Sequence, residues 1–277
     1  MSSFRPSGVV TLTTDFGLED PFVGVMKGRI LTRFPAARLI DLTHAIPPQR
    51  PAEAGFWLAR CFEYFPEGTV HVAVVDPGVG TDRAIVCVAS RGHALLAPDN
   101  GLLAPIVARA ADAEIYALGG AALSALGIRE VSATFHGRDI FAPVAAELAA
   151  GRLALRELGE RRSGIAQPPD APVTDQAGQP VSGRVITVDH FGNLITDIES
   201  DRLATLSDPH VSVGGQIVPS RRTYGEARPG ELLALVNSFN VLEIALRDGS
   251  AAAALRVGQG APVLVWSSPL PDERNPL

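Results

Sequence analysis

The sequence predicts an α/β protein in two parts, an amino-terminal mostly parallel α/β sandwich domain and a carboxy-terminal small β-barrel domain. Three observations carry this. Strand-type runs alternate with helix-type runs from Val9 to Ala150, the pattern of a mostly parallel sheet covered by helices. Periodicity then fails between Gly151 and Ser182, around Gln167-Pro168-Pro169-Asp170-Ala171-Pro172, which is linker composition. Beyond it only short β-rich runs remain, parted by turn formers. The divisions expected are an α/β domain over 1–165, a linker over 166–182 and a barrel over 183–277. A chain of 277 residues is long enough for both cores.

The elements follow in order. Val9 to Thr14 is a β-rich run ending in Asp15-Phe16-Gly17, and Asp20-Pro21 opens a helical period through Phe22, Val25, Met26 and Ile30. Arg38 to Leu42 is a second strand, and Ala52 to Tyr64 a second helix after the extended Pro47-Pro48. Val70 to Val75 is apolar and β-branched, so it reads as a central strand covered on both faces. Ala84 to Ala89 and Ala94 to Ala97 pair across Arg91-Gly92, and Pro98-Asp99-Asn100-Gly101 is a turn. Ile140 to Ala150 is rich in alanine and reads as a helix, with His136 in the loop entering it. In the second part, strands are expected at 184–189, 194–198, 211–213, 216–218, 232–236, 242–246 and 262–266.

Composition excludes several classes. Hydrophobic residues make up 46% and charged residues 19%, and the net charge is −6, which describes a folded chain without the basic footprint of a nucleic-acid binder. No apolar run approaches the roughly 18 residues of a membrane helix, and the amino terminus lacks the apolar core of a secretion signal. Cys61 and Cys87 have neither CxxC nor metal spacing and read as reduced core residues, as in a cytoplasmic protein. The six histidines form no HxH or HExxH pattern, so no metal is expected. GxGxxG and GxxxxGK[ST] are both absent, which removes the main support for dinucleotide and triphosphate binding.

Polar residues gather in loops at four places: Thr13-Thr14-Asp15, Asp76 with Arg83, His136-Gly137-Arg138-Asp139, and Asp189 to Asn193 with Asn237-Ser238. Asp76 stands at the carboxyl end of the central strand, where open α/β sheets bind ligands. Arg83 follows seven residues later, past glycines that let backbone approach a ligand. A strand-capping Asp with a surface Arg is the plainer alternative. Asp15 ends the first strand, and its carboxylate suits either the paired hydroxyls of a ribose or the cap of the following helix.

The stretches TLTTDFGLEDPFVGVMKG, IDLTHAIPPQ, FPEGTVHVAVVDPGVGT, APDNGLL, FHGRDIFAPVAAELA, DHFGNLITDI and GELLALVNSFNVLEIA, in this order across nearly the whole chain, closely resemble the S-adenosyl-L-methionine hydroxide adenosyltransferases, water-using relatives of fluorinase and chlorinase. The resemblance implies cleavage of S-adenosyl-L-methionine by water at the ribose 5′-carbon, giving adenosine and L-methionine with no further cofactor. It implies an Asp, Arg, His set handling the water, which here is Asp76, Arg83 and His136. It makes Asp15 the ribose-binding acid, and gives Asp76, Asn193, Ser238 and Glu243 places facing the substrate. It also implies a homotrimer whose sites lie between one subunit's first domain and its neighbour's second. Arg83 is followed by Ala84 where many relatives have a second basic residue. The halogenating relatives lack the Asp, Arg, His set.

A sulfonium leaves as a neutral thioether and needs no proton, so catalysis should centre on making and aiming the nucleophile. His136 is the candidate base for water, Arg83 the cation that favours an anionic nucleophile, and Asp76 the group that orients them. Two other classes share the binding residues: a halide-using transferase, told apart by halide dependence, and a nucleoside-binding protein without turnover, which would not need His136.

Overall fold

The structure is a computed structural model that describes residues 4–168, 180–204 and 206–267. Residues 169–179, most of the expected linker, lie outside the described residues. The chain divides into two compact units, 1–169 and 170–277.

The first unit is built on one seven-stranded sheet. In chain order its strands are β1 (Val9–Thr14), β2 (Arg38–Thr43), β3 (Val70–Val74), β4 (Ile85–Ser90), β5 (His93–Pro98), β6 (Glu114–Ala117) and β7 (Arg161–Arg162), and they lie side by side as β2-β1-β3-β5-β4-β6-β7. The apolar runs explain the centre: every residue of β1, β3 and β5 is buried. β2 pairs on one side and is largely exposed on its edge. The pairs β1 with β2, β1 with β3 and β3 with β5 are parallel. The remaining three pairs are antiparallel, so the parallel half is narrower than the alternation of elements suggested. The cause is the hairpin at Arg91-Gly92, whose φ values of 46° and 79° are those of a tight primed turn. It returns the chain beside β3 and places β4 between β5 and β6.

Helices cover both faces. Helix α1 (Phe22–Arg33) and a later helix, Ala142–Ala149, share one core with Val10, Leu12, Val72 and Phe141, while α2 (Pro51–Cys61) and α3 (Ala104–Arg109) share the other with Leu95 and Ile115. Phe141 is fully buried, which at about 25 cal/mol per Å² stabilises the face by roughly 1.5–3 kcal/mol. The short elements α3, β6 and α4 (Gly120–Ala125) were not legible in the sequence, because four to six residues do not complete a recognisable period. The helix expected from Ile140 starts earlier, as a π-type turn over Gly137–Phe141 that runs into α5 (Ala142–Ala149). The turn is closed by the Ala142 N–H donating to the Gly137 carbonyl.

The second unit is antiparallel throughout its ladders. Its strands are β8 (Val181–Val188), β9 (Leu194–Glu199), β10 (Pro209–Val213), β11 (Gln216–Pro219), β12 (Leu232–Val236), β13 (Val241–Leu246) and β14 (Pro262–Ser267), ordered β11-β10-β14-β8-β9-β13-β12. A bridge between Ser220 and Ala234 joins the two ends, so the sheet is a nearly closed barrel around Val185, Val211, Val218, Ile244 and Val265.

Candidate active site

Asp76 stands just past β3, at the middle of the sheet. Val75 is buried and its carbonyl accepts from Asn100 Nδ2 at 2.9 Å, which ties the end of β3 to the turn after β5. Two successive turns then reverse the chain, Val79 N–H donating to the Asp76 carbonyl and Thr81 N–H to that of Gly78. Gly80 is required twice: its φ is +79°, and a Cβ there would fall 2.2 Å from the Ala133 carbonyl oxygen. That approach seats the turn against the segment leading to His136.

The reversal brings Arg83 back onto Asp76. Its Nε donates to Asp76 Oδ1 at 2.9 Å, and its Nη2 donates both to Asp76 Oδ2 and, at 2.8 Å, to His136 Nδ1. The Arg83 side chain is 10% exposed and that of Asp76 4%, so the bidentate pair is held largely away from water. A guanidinium has no acceptor, so His136 Nδ1 is the acceptor and the neutral ring carries its proton on Nε2. Burial and then the charge of Arg83 hold the His136 pKa below its ordinary value, against opposing pulls from Asp76 and Asp139. The Nη1 donors of Arg83 and His136 Nε2 have no partner among the described residues.

Asp15 follows β1, and its Oδ2 accepts from the Gln49 N–H at 2.9 Å. The helix-cap alternative fails, because α1 begins after Pro21 and no side chain caps it. Phe16, Phe22 and Phe135 meet edge to face with ring centroids 5.4 to 6.1 Å apart, which ties the Asp15 loop to the residue before His136. On the far side of His136, Asp139 accepts from the Ser132 N–H at 2.9 Å and from Arg138. The structure thus brings together Asp76, Arg83 and His136 by direct contact, and Asp15 through shared packing.

A second polar cluster lies in the barrel. Asp189 Oδ1 accepts from the N–H groups of Phe191 and Asn193, and its Oδ2 from Asn193 Nδ2 at 3.0 Å, fixing the buried Asn193 side chain. Next to Asn193, β9 pairs with β13, which carries Glu243. Both oxygens of Glu243 are occupied, by Tyr224 O–H at 2.6 Å and Asn237 Nδ2 at 3.1 Å. Burial pushes its pKa up although both donors pull it down. Glu243 therefore holds Tyr224 and Asn237 in place within this unit. Ser238 is exposed. The charge of Asp189 acts on both Glu243 and Tyr224, so the three lie near one another. Tyr224 was missed in the sequence because its short turn, Tyr224–Glu226, lies in an aperiodic segment.

Comparison with known proteins assigns the chain to a family. Residues 10–159 match the S-adenosyl-L-methionine hydroxide adenosyltransferase N-terminal domain, and residues 183–264 match the C-terminal domain of the same family. The chain belongs to this family. It is 40% identical to an (R)-S-adenosyl-L-methionine hydrolase of Thermus thermophilus over 92% of its length and 98% of the relative's. A solved structure of an uncharacterized conserved protein from Thermotoga maritima superposes with a TM-score of 0.83 at 36% identity, covering 93% of this chain and 99% of that one. A fluorinase of Actinoplanes is more distant, 26% identical over 93% of this chain and 97% of the relative.

In this member of the hydroxide adenosyltransferase family, the set of Asp76, Arg83 and His136 leaves donors open. Each Asp76 oxygen accepts one bond from Arg83, and the His136 lone pair is turned to the guanidinium. The N–H bonds on Arg83 Nη1 and His136 Nε2 remain for a third group. That is a cradle for an oxygen carrying negative charge. Among the described residues no three His, Cys, Asp or Glu side chains gather as metal ligands.

Proposed function

We propose that this chain hydrolyses S-adenosyl-L-methionine, as its (R) epimer at sulfur, to adenosine and L-methionine, by attack of hydroxide on the ribose 5′-carbon. The observation that carries the reading is the guanidinium of Arg83, clamped by Asp76 and His136 with its Nη1 donors unpartnered among the described residues. The (R) preference follows the name of the Thermus relative.

Bound water loses a proton to solvent, because His136 Nδ1 is turned to the guanidinium and both Asp76 oxygens are bonded to it. Arg83 favours the hydroxide that remains, and His136 Nε2–H aims it. The new C–O bond forms as the C–S bond breaks, and the electron pair of that bond leaves with sulfur as neutral methionine. His136 thereby moves from the expected base to a donor that positions the nucleophile, since accepting at Nε2 would place an Nδ1–H against the guanidinium. Asp15 is assigned to the ribose hydroxyls, and Asn193, Ser238 and Asn237, the last held by Glu243, to the substrate's other polar groups.

We further propose a cytoplasmic homotrimer in which the first unit of one subunit works with the second unit of another, and no cofactor beyond the substrate. Ligand-type residues in both units and free Cys61 and Cys87 support this, and among the described residues no helix is long and apolar enough to cross a membrane. Incubation of each sulfur epimer in oxygen-18 water is the test. Labelled 5′-hydroxyl from the (R) epimer is expected. Unlabelled adenosine, or 5′-chloro-adenosine in chloride buffer, defeats the reading, and light scattering that shows an active monomer defeats the trimer.

A further inference from the structure

An open cleft on the first unit gathers more positive charge than the hydrolysis site uses. Three arginines from separate chain segments line its roughly 740 Å³: Arg29 on α1, Arg129 in the loop after α4, and Arg138 in the π-type turn, with Ser132, Asp139 and Glu130 beside them. Asp139 is already committed, accepting from Arg138 Nε at 2.6 Å, Arg138 Nη2 at 2.9 Å and the Ser132 N–H. Arg138 is further steadied by the Phe135 ring, whose centre lies 5.3 Å from its guanidinium carbon. Arg29 and Arg129 make no hydrogen bond or ion pair among the described residues, so two guanidinium forks face the cleft without an acceptor.

Like charges gathered without acceptors repel one another, and an anion relieves that repulsion while using the forks. Phosphate oxygens match the planar N–H pairs of arginine, and the two open forks of Arg29 and Arg129, with Arg138 Nη1 beside them, suit a group with several charged oxygens. The net charge of −6 disfavours a long nucleic acid as the source of that phosphate. The geometry points to a binding site for a small phosphate-bearing anion at Arg29, Arg129 and Arg138, separate from the Asp76, Arg83 and His136 set. The cleft has room for an organic group attached to the phosphate. This inference stands whether or not the chain hydrolyses S-adenosyl-L-methionine.

Calorimetric titration of the full chain with inorganic phosphate and with pyrophosphate, at ionic strength fixed by sodium chloride, tests it. One saturable site per chain is expected, tighter for pyrophosphate, and unchanged when adenosine is present in excess. Arg29→Ala and Arg129→Ala, both at exposed positions, should each weaken pyrophosphate binding by about tenfold or more. Their melting temperatures and adenosine-forming rates should match the parent. Absence of saturable heat overturns the proposal, as does full binding by the double variant or competition by adenosine. Binding of a single-stranded oligonucleotide, lost in the same variants while pyrophosphate gives no heat, would assign the cleft to nucleic acid and also overturn it.

Discussion

Replacing Arg83 with lysine tests whether the planar fork, rather than the positive charge alone, organises the reaction. Arg83 uses Nε and Nη2 to reach three acceptors, two on Asp76 and one on His136, and its Nη1, unpartnered among the described residues, is the donor proposed for the nucleophile. A lysine ammonium has three donors on one atom, so it cannot hold both oxygens of Asp76, meet His136 and still reach outward. Loss of one donor to a developing or bound oxyanion costs about 2.7–4 kcal/mol, so kcat should fall by roughly 10²–10³. The charge is retained, and Asp76, whose side chain is 4% exposed, keeps a cationic partner. Stability should therefore fall by only about 1–3 kcal/mol, the cost of hydrogen bonds to a charged group. Arg83→Met should cost about 3–5 kcal/mol, because it leaves the buried carboxylate unpaired. Adenosine formation is followed by chromatography, adenosine affinity by calorimetry and folding by urea titration. A lysine variant with kcat within about fivefold of the parent, roughly 1 kcal/mol, would show that charge suffices and that the fork geometry is incidental.

Three other outcomes follow from the same contacts. The pKa of His136 is lowered, so above the ordinary histidine value the pH dependence of kcat/KM should come from the ionisation of bound water alone, and a second, steeper fall should set in only below it, when a proton on Nδ1 confronts Arg83. A second ionisation at or above pH 6.5, the ordinary value, that disappears in His136→Gln contradicts this. His71, buried beside Thr11 and His93, has its pKa pushed down to about 3, so the unfolded chain binds its proton first as pH falls. Stability should then decline between about pH 6.5 and pH 3 by up to about 1.4 kcal/mol per unit from this group. Urea titrations of His71→Gln should show a shallower pH dependence, and an unchanged slope rules the assignment out. Gly80→Ala puts a methyl into the Ala133 carbonyl at positive φ, which costs about 1–3 kcal/mol or moves the turn. Adenosine formation should fall at least tenfold, about 1.4 kcal/mol, while adenosine affinity, proposed to rest on Asp15, stays near that of the parent.

The central strands were legible because burial on both faces leaves a continuous apolar run, as in Val70 to Val75. The hairpin was legible from Arg91-Gly92, yet its effect on sheet order was not. Whether β4 or β5 joins β3 depends on which presents its edge to the parallel half, and the two have similar sequences. The π-type turn that precedes α5 was hidden for another reason. Gly137 discourages a helix by propensity, but packing of Ile140 and Phe141 into the core carries the π-type turn through it.

At the site, the residues were legible and their roles less so. The turn explains the Asp76 to Arg83 spacing once Gly80 is seen to need its positive φ. The state of His136 is different, because it depends on which ring nitrogen faces the guanidinium, and no residue type or spacing encodes that. Glu243 shows the same limit: a strand pattern marks it as inward-facing, but only the arrival of Tyr224 from an aperiodic segment reveals that its oxygens are spent on neighbours. These two findings bear on one another. The first unit holds Arg83 between Asp76 and His136 with Nη1 unpartnered among the described residues, and the barrel holds a carboxylate bonded through both oxygens to its own neighbours. In the proposed reaction, water ionisation is then governed by the field of Arg83 and by solvent. A leaving group that departs neutral makes such a site sufficient, because the only proton in the reaction is the one that water gives up.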